Sequence, residues 1–191
     1  MSTIVEATND TSEKVPMPDA QIRDATPDDL GGILCIFNDV IATSTAVYSL
    51  QPTTLEERRT WFEARRAAGF PVLVAQEGNA VCGFASFGDF RGTWPGYRYT
   101  VEHSVHVAAD CRGRGVGRLL LQSLFAPALA MGKHVMVGGI DADNAASLRL
   151  HQALGFERVA HFREVGRKFG RWLDLVFVQR CLDAAGAPRD D

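Results

Sequence analysis

Arg112-Gly113-Arg114-Gly115-Val116-Gly117 places three glycines and two arginines on one short segment, and Arg118 adds a further charge. A strand-like stretch precedes it and a run with helical spacing follows, so these glycines open a helix. A helix start leaves about four backbone N–H groups without intrahelical partners. Glycine lets an anion come close to that backbone, and the helix dipole adds positive potential. The segment is therefore an anion site, most simply for phosphate. It is not a nucleotide P-loop, which needs GxxxxGK[ST]; no Lys-Ser or Lys-Thr follows here. Nor is it the dinucleotide fingerprint GxGxxG, because its spacing is GxGxG.

The stretch before it, Tyr97 to Val107, predicts a long strand. Glu102, Ser104 and His106 fall on one face; Tyr99, Val101, His103, Val105 and Val107 fall on the other. Glu102 is the one carboxylate of the strand and could take a proton, directly or through water. His103 and His106 form an H-x-x-H, but on a regular strand they point to opposite faces. With no third ligand evident, no metal is expected.

Downstream, Asp143 or Asn144 caps a helix, and Asn144 suits the N-cap position. His151 follows seven residues later, about two turns on, so both can face one cleft. A histidine there could give up a proton near neutral pH. Two loops are candidate walls for a second, small ligand. One is Thr43 to Tyr48, which includes Thr45. The other is Asp89 to Trp94, where the Arg91 guanidinium could pair with a carboxylate and Phe90 and Trp94 could shape a small apolar pocket.

The elements that must position these groups follow from periodicity and punctuation. Gln21 to Ala25 predicts a short strand. Thr26-Pro27-Asp28-Asp29 starts a helix on which Leu30, Ile33, Leu34, Phe37 and Ile41 recur. Thr53-Thr54 with Glu56 and Glu57 opens a second helix to about Ala67. Val72–Gln76 and Val81–Phe87 predict a hairpin across Gly78-Asn79. Val116 to Ala130 predicts a helix with Leu119, Leu120, Leu124 and Leu129 on its apolar side, kinked or shortened by Pro127. Val135–Ile140 predicts a strand, and a helix then runs through Leu154 to Gly155. Phe156–Arg167 and Trp172–Arg180 make a last antiparallel pair across Phe169-Gly170. The order β-α-α-β-β-β-α-β-α-β-β gives a mixed α/β or α+β sheet covered by helices.

The 191 residues fit one domain, assigned to 21–182, with a disordered leader over 1–20 and a flexible tail over 183–191. A formal net charge of −3 gives no bulk attraction to nucleic acid. No apolar run approaches the roughly 18 residues of a membrane span. The leader lacks an apolar h-region, so a cytoplasmic location is expected. Cys35, Cys82, Cys111 and Cys181 form no CxxC pair, which supports neither a metal nor a disulfide. The three that sit in apolar stretches are expected to be buried free thiols; Cys111, just before the glycine turn, stands apart.

Arg112 to Gly117 between strand and helix, with Asn144-x6-His151-x3-Gly155-Phe156 downstream, resembles the GNAT acetyltransferase superfamily. More narrowly, the chain resembles the phosphinothricin and methionine sulfoximine/sulfone acetyltransferases. Thr43-Ser44-Thr45-Ala46, Tyr99 to Val107, Leu150 to Phe156 and Gly166 to Asp174 carry that resemblance. It implies the GNAT fold, a mixed central sheet of about seven strands flanked by four helices. It implies acetyl-CoA as cofactor, CoA as product and no metal. By resemblance, the pyrophosphate lies on Arg112, Gly113, Arg114, Gly115, Val116, Gly117 and Arg118. Backbone groups of Val105, His106 and Val107 hold the pantetheine arm, where the strand parts from its neighbour, and one N–H serves as oxyanion donor. Asn144 and Ser147 contact the same arm. Glu102 would be the base and His151, where many members carry Tyr, an acid. The acceptor would meet Thr45, Phe90, Arg91, Trp94, Glu102, His103 and Ser104; members of the family carry Trp where Phe90 stands. The expected reaction is acetyl transfer to the α-amine of a small amino acid-like molecule by direct attack in a ternary complex, in a homodimer. A different amine acceptor, or a CoA-binding sensor without turnover, are the alternatives.

Overall fold

The computed structural model describes residues 20–92 and 94–183. The leader and tail expected at the two ends lie outside these, apart from Ala20 and Asp183. One seven-stranded sheet runs through the molecule: β1 Gln21–Asp24, β2 Val72–Glu77, β3 Ala80–Asp89, β4 Thr100–Val107, β5 Val135–Asp141, β6 Glu157–Lys168 and β7 Arg171–Cys181. Their order across the sheet is β1-β2-β3-β4-β5-β7-β6. Every neighbouring pair is antiparallel except β4–β5. This is the mixed sheet and element order predicted from the sequence.

Strand alternation sorts the core into two layers. Val72 and Val74 of β2 face α1 (Leu30–Thr43) and α2 (Leu55–Ala67), where they meet Leu30, Ile33, Phe62 and Phe84. Leu73 and Ala75 face the other way, into a cluster built on Val101, Leu120, Leu121, Leu124 and Met136. The second layer is covered by α3 (Val116–Ser123), α4 (Phe125–Ala130) and α5 (Ala145–Ala153).

The predicted punctuation is visible in hydrogen bonds. Asp29 accepts from the Thr26 N–H at 2.7 Å and from both arms of the Arg23 guanidinium at 2.7 Å each. Thr54 and Glu57 form a reciprocal capping box that starts α2. The β6–β7 turn puts Phe169 at φ 50° and Gly170 at φ 76°.

Four details differ from the sequence reading. The helix predicted over Val116–Ala130 breaks at Leu124 into α3 and α4, so Pro127 falls in the first turn of α4, where its missing N–H costs nothing. The break rotates the buried side: Leu120, Leu121, Leu124 and Ala128 are inside, and Leu129 is exposed. Pro95–Tyr97 forms a 3-10 turn, delaying β4 to Thr100. Cys82 is buried as expected, but Cys35 on α1 and Cys181 at the end of β7 are exposed; the buried partner of Cys82 is Cys111.

Candidate active site

The parallel pairing of β4 with β5 lasts three residues, Thr100↔Val135, Val101↔Met136 and Glu102↔Val137. Beyond it the strands part. β4 continues to Val107 paired only with β3, and β5 to Asp141 paired only with β7. Into the opening on the β5 side comes the His103 ring: a Cβ built on Gly138 would lie 2.6 Å from its Nε2. The residue after the last pair on one strand thus occupies the space that glycine leaves on the other.

This parting forms the floor of a cleft of about 1190 Å³. Its walls come from the α1–α2 loop, the first turn of α3, α5 and the β6–β7 turn. Because the cleft passes through the sheet, it receives side chains from both faces of β4. Glu102, His103, Ser104, Val105, His106 and Val107 all line it.

At one end lies the glycine turn. Gly113 and Gly115 have φ of 74° and 84°, conformations that glycine adopts without strain, and Gly115 caps α3. Gly117 is different: a Cβ there would make only ordinary contacts. Arg112, Gly113, Gly115, Val116, Gly117 and Arg118 line the cleft. The Arg112 Nε donates to the Val107 carbonyl at 3.1 Å, tying the turn to the end of β4. Arg114 is not among the lining residues; it pairs with Glu77.

Glu102 stands where the strands part, opposite Gly88 on β3. The Arg65 guanidinium of α2 fills the space above Gly88. Glu102 is solvent-accessible in the cleft, yet the surrounding protein raises its pKa, and the Arg65 charge opposes that rise. A carboxylate so placed can accept a proton closer to neutral pH than a free glutamate can.

His151 is buried on α5 and also lines the cleft. Its Nδ1 lies 2.7 Å from the Ser147 carbonyl, which can only accept, so Nδ1 carries the hydrogen. In the neutral ring Nε2 then bears a lone pair, and it faces the His103 Nε2 at 3.2 Å. His103 must donate from Nε2, which leaves its buried Nδ1 without a partner among the described residues. Burial lowers the pKa of both rings, that of His103 to about 3. His106 points the other way, between Phe37 and Phe84, as strand alternation requires. Asn144 caps α5 by accepting from the Ser147 N–H at 3.1 Å. Asn144 and Ser147 both line the cleft.

The acceptor-side residues divide. Thr43 to Val47, including Thr45, line the cleft, whereas Phe90, Arg91 and Trp94 do not. Arg91 takes φ 52° and lies against Tyr97, and Trp94 is exposed. The sequence reading missed Phe169 of the β6–β7 turn, Arg171 at the start of β7, and Arg58 and Trp61 of α2, all of which line the cleft. It also missed Lys168, a buried ammonium that donates to the Ser44 and Val47 carbonyls at 2.7 Å each and so fastens the α1–α2 loop. Nothing in the sequence marks Lys168 for this role, since only the fold buries it and brings it to that loop. Cys111 lines the cleft too, but burial, with Cys82 next in effect, pushes its thiol up to about 12, unlike an activated nucleophile.

Residues 36–156 match the acetyltransferase (GNAT) family, and the chain belongs to it. It is an acetyl-CoA-dependent acetyltransferase. At 51% identity over 165 residues, covering 86% of this chain and 95% of the relative, it is similar to an L-methionine sulfoximine/L-methionine sulfone acetyltransferase of Pseudomonas paraeruginosa. A phosphinothricin N-acetyltransferase of Streptomyces coelicolor is 35% identical over 167 residues, covering 86% of this chain and 97% of that one. Among solved structures, a phosphinothricin acetyltransferase from Sinorhizobium meliloti in complex with acetyl-CoA superposes with a TM-score of 0.86 at 34% identity, covering 91% and 94% of the two chains.

Proposed function

We propose that this enzyme moves acetyl from acetyl-CoA to the α-amine of a small amino acid-like acceptor of the methionine sulfoximine, methionine sulfone or phosphinothricin type. The observation that carries the reading is the place of Glu102: last in the β4–β5 pairing, open to the cleft, with its proton affinity raised. The acceptor specificity is that named for relatives at up to 51% identity.

The CoA pyrophosphate lies on the amides of Gly113 to Gly117, with Arg112 and Arg118 beside it. The pantetheine arm runs along Val105 to Val107, near Asn144 and Ser147. The acceptor ammonium gives one proton to Glu102, directly or through water, and its nitrogen lone pair attacks the thioester carbonyl. A β4 N–H in the parted region stabilises the oxyanion. The tetrahedral intermediate collapses with cleavage of the C–S bond, and the proton that the attacking nitrogen sheds passes to the departing sulfur, directly or through water, releasing CoA and the amide without an acetyl-enzyme. Neutral His151 bears its lone pair on Nε2, so it orients and accepts; a proton from Nε2 to the leaving sulfur would require the imidazolium, which burial opposes. We assign the catalytic domain to residues 21–182 and place the enzyme in the cytoplasm as a homodimer. Phe90, Arg91 and Trp94 remain proposed acceptor contacts.

A panel of amines at fixed acetyl-CoA, followed by thiol release, tests this reading. Methionine sulfoximine, methionine sulfone and phosphinothricin are expected to be turned over well ahead of peptides and polyamines. A preference for a peptide or polyamine would overturn the acceptor assignment; acetyl-CoA binding with no thiol release on any amine would overturn the reading altogether.

A further inference from the structure

Behind the glycine turn, Cys82, Cys111 and Glu77 bring two sulfurs and a carboxylate oxygen within 4.8 Å of one another. The sequence gives no hint of this, since Cys111 lies far downstream of Glu77 and Cys82 and the three follow no ligand spacing. A β-bulge makes the meeting possible. Gln76 pairs with Val81 and Ala75 with Gly83, which leaves Cys82 as the extra residue of β3. A bulge re-aims the side chain it carries. Val81 packs with the α1–α2 layer while Cys82 packs with the α3 layer, where Cys111 also lies.

We propose that Glu77, Cys82 and Cys111 form a binding site for a thiophilic divalent cation, Zn2+ in the first instance, separate from the acetyl-transfer machinery. A tetrahedral zinc with sulfur at about 2.3 Å and oxygen at about 2.1 Å sets its S···O ligands about 3.6 Å apart and its S···S ligands about 3.8 Å apart. The Cys82 Sγ already stands 3.7 Å from the Glu77 Oε2. The remaining separations are bounded at 4.8 Å, so rotation of one thiol by about an ångström closes the set. Two sulfurs and one carboxylate select zinc over magnesium or calcium, which take oxygen ligands. The cation has a way in, because Cys111 lines the cleft and Glu77 is only partly buried. Water on the Glu77 side completes four-coordination.

Binding forms two Zn–S bonds and one Zn–O bond and releases the two thiol protons to solvent, with no change of oxidation state. The charge of the ion drives that deprotonation, so affinity rises with pH. Glu77 meets Cys82 through Oε2 and Arg114 through Oε1, so the ion and the arginine can share one carboxylate. Cys111 directly precedes Arg112, and a bound ion would fix the root of the glycine turn.

Cobalt(II) is the probe, titrated anaerobically into the full chain and then displaced with zinc. One equivalent is expected to give thiolate-to-cobalt charge-transfer absorption that zinc abolishes. The band should vanish in Cys82→Ala and in Cys111→Ala and persist in Cys35→Ser and Cys181→Ser. Glu77→Gln, at a partly exposed position that threatens folding least, should keep the band but weaken cobalt binding at least roughly tenfold. No band in the wild type, a band that survives loss of both buried cysteines, or unchanged affinity in Glu77→Gln would each overturn the site as drawn.

Discussion

The Nε2 atoms of His151 and His103 stand 3.2 Å apart, and a single proton is shared across that gap. The Ser147 carbonyl settles which ring supplies it, since it occupies the hydrogen of His151 Nδ1. Two neutral imidazoles are therefore locked in opposite tautomers inside the protein.

The first prediction is acid sensitivity. Both histidines have folded-state pKa values below the usual 6.5, His103 at about 3. Above about pH 6.5 neither state binds the protons, and the full stability is present. As pH falls from there, toward about 3 for His103, the unfolded chain takes up protons that the folded one refuses. Stability should drop by up to about 1.4 kcal/mol per pH unit for each ring. Urea unfolding at pH 7.5, 6.5 and 5.5 checks this. The slope should be shallower in His103→Gln; an equal slope would mean that other groups set the acid limit.

The second concerns Glu102 and Arg65. Glu102→Gln should lower kcat by roughly 10²- to 10⁴-fold and leave acetyl-CoA affinity almost unchanged. Burial raises the Glu102 pKa and Arg65 restrains it. As a base it works only when ionised, so activity is lost as pH falls through that raised value. Arg65→Met removes the restraint and should move the acid limb of kcat/KM to higher pH. A shift to lower pH would contradict the charge argument.

The third concerns the place where the strands part. In Gly138→Ala the new methyl would sit 2.6 Å from the His103 Nε2, closer than such atoms approach. The ring must move, losing its contact with His151. A cost of about 1–3 kcal/mol is expected in thermal unfolding. In a His103→Ala background the same change should cost much less, giving a double-mutant coupling of at least about 0.5 kcal/mol. Additive effects would show that the two residues are independent.

The fourth concerns Lys168. Its two bonds to Ser44 and Val47 hold a loop whose residues line the cleft. Lys168→Met should raise the acceptor KM by roughly tenfold while leaving the acetyl-CoA KM nearly unchanged. Equal rises in both constants would indicate general loosening of the fold.

Much of this arrangement was legible in the sequence because it is local. The glycine turn, the caps at Thr26, Thr54 and Asn144, and the alternation along Thr100–Val107 each depend on residues a few positions apart. What escaped depends on distance in the chain. Arg65 reaches Glu102, Lys168 reaches Ser44, and His103 meets His151 only after the sheet order is set. The break at Leu124 was misplaced toward Pro127 because proline is tolerated in a first helical turn. The charge count on the glycine turn could not show that Arg114 leaves the cleft for Glu77.

The short pairing of β4 with β5 has a bearing on solubility. A sheet normally carries its bare main-chain edges on the outside, where they can recruit other chains into aggregates. Here, past Glu102 and Val137, two such edges face each other within a recess. The molecule thus turns two unpaired strand sides toward its own interior and away from its neighbours.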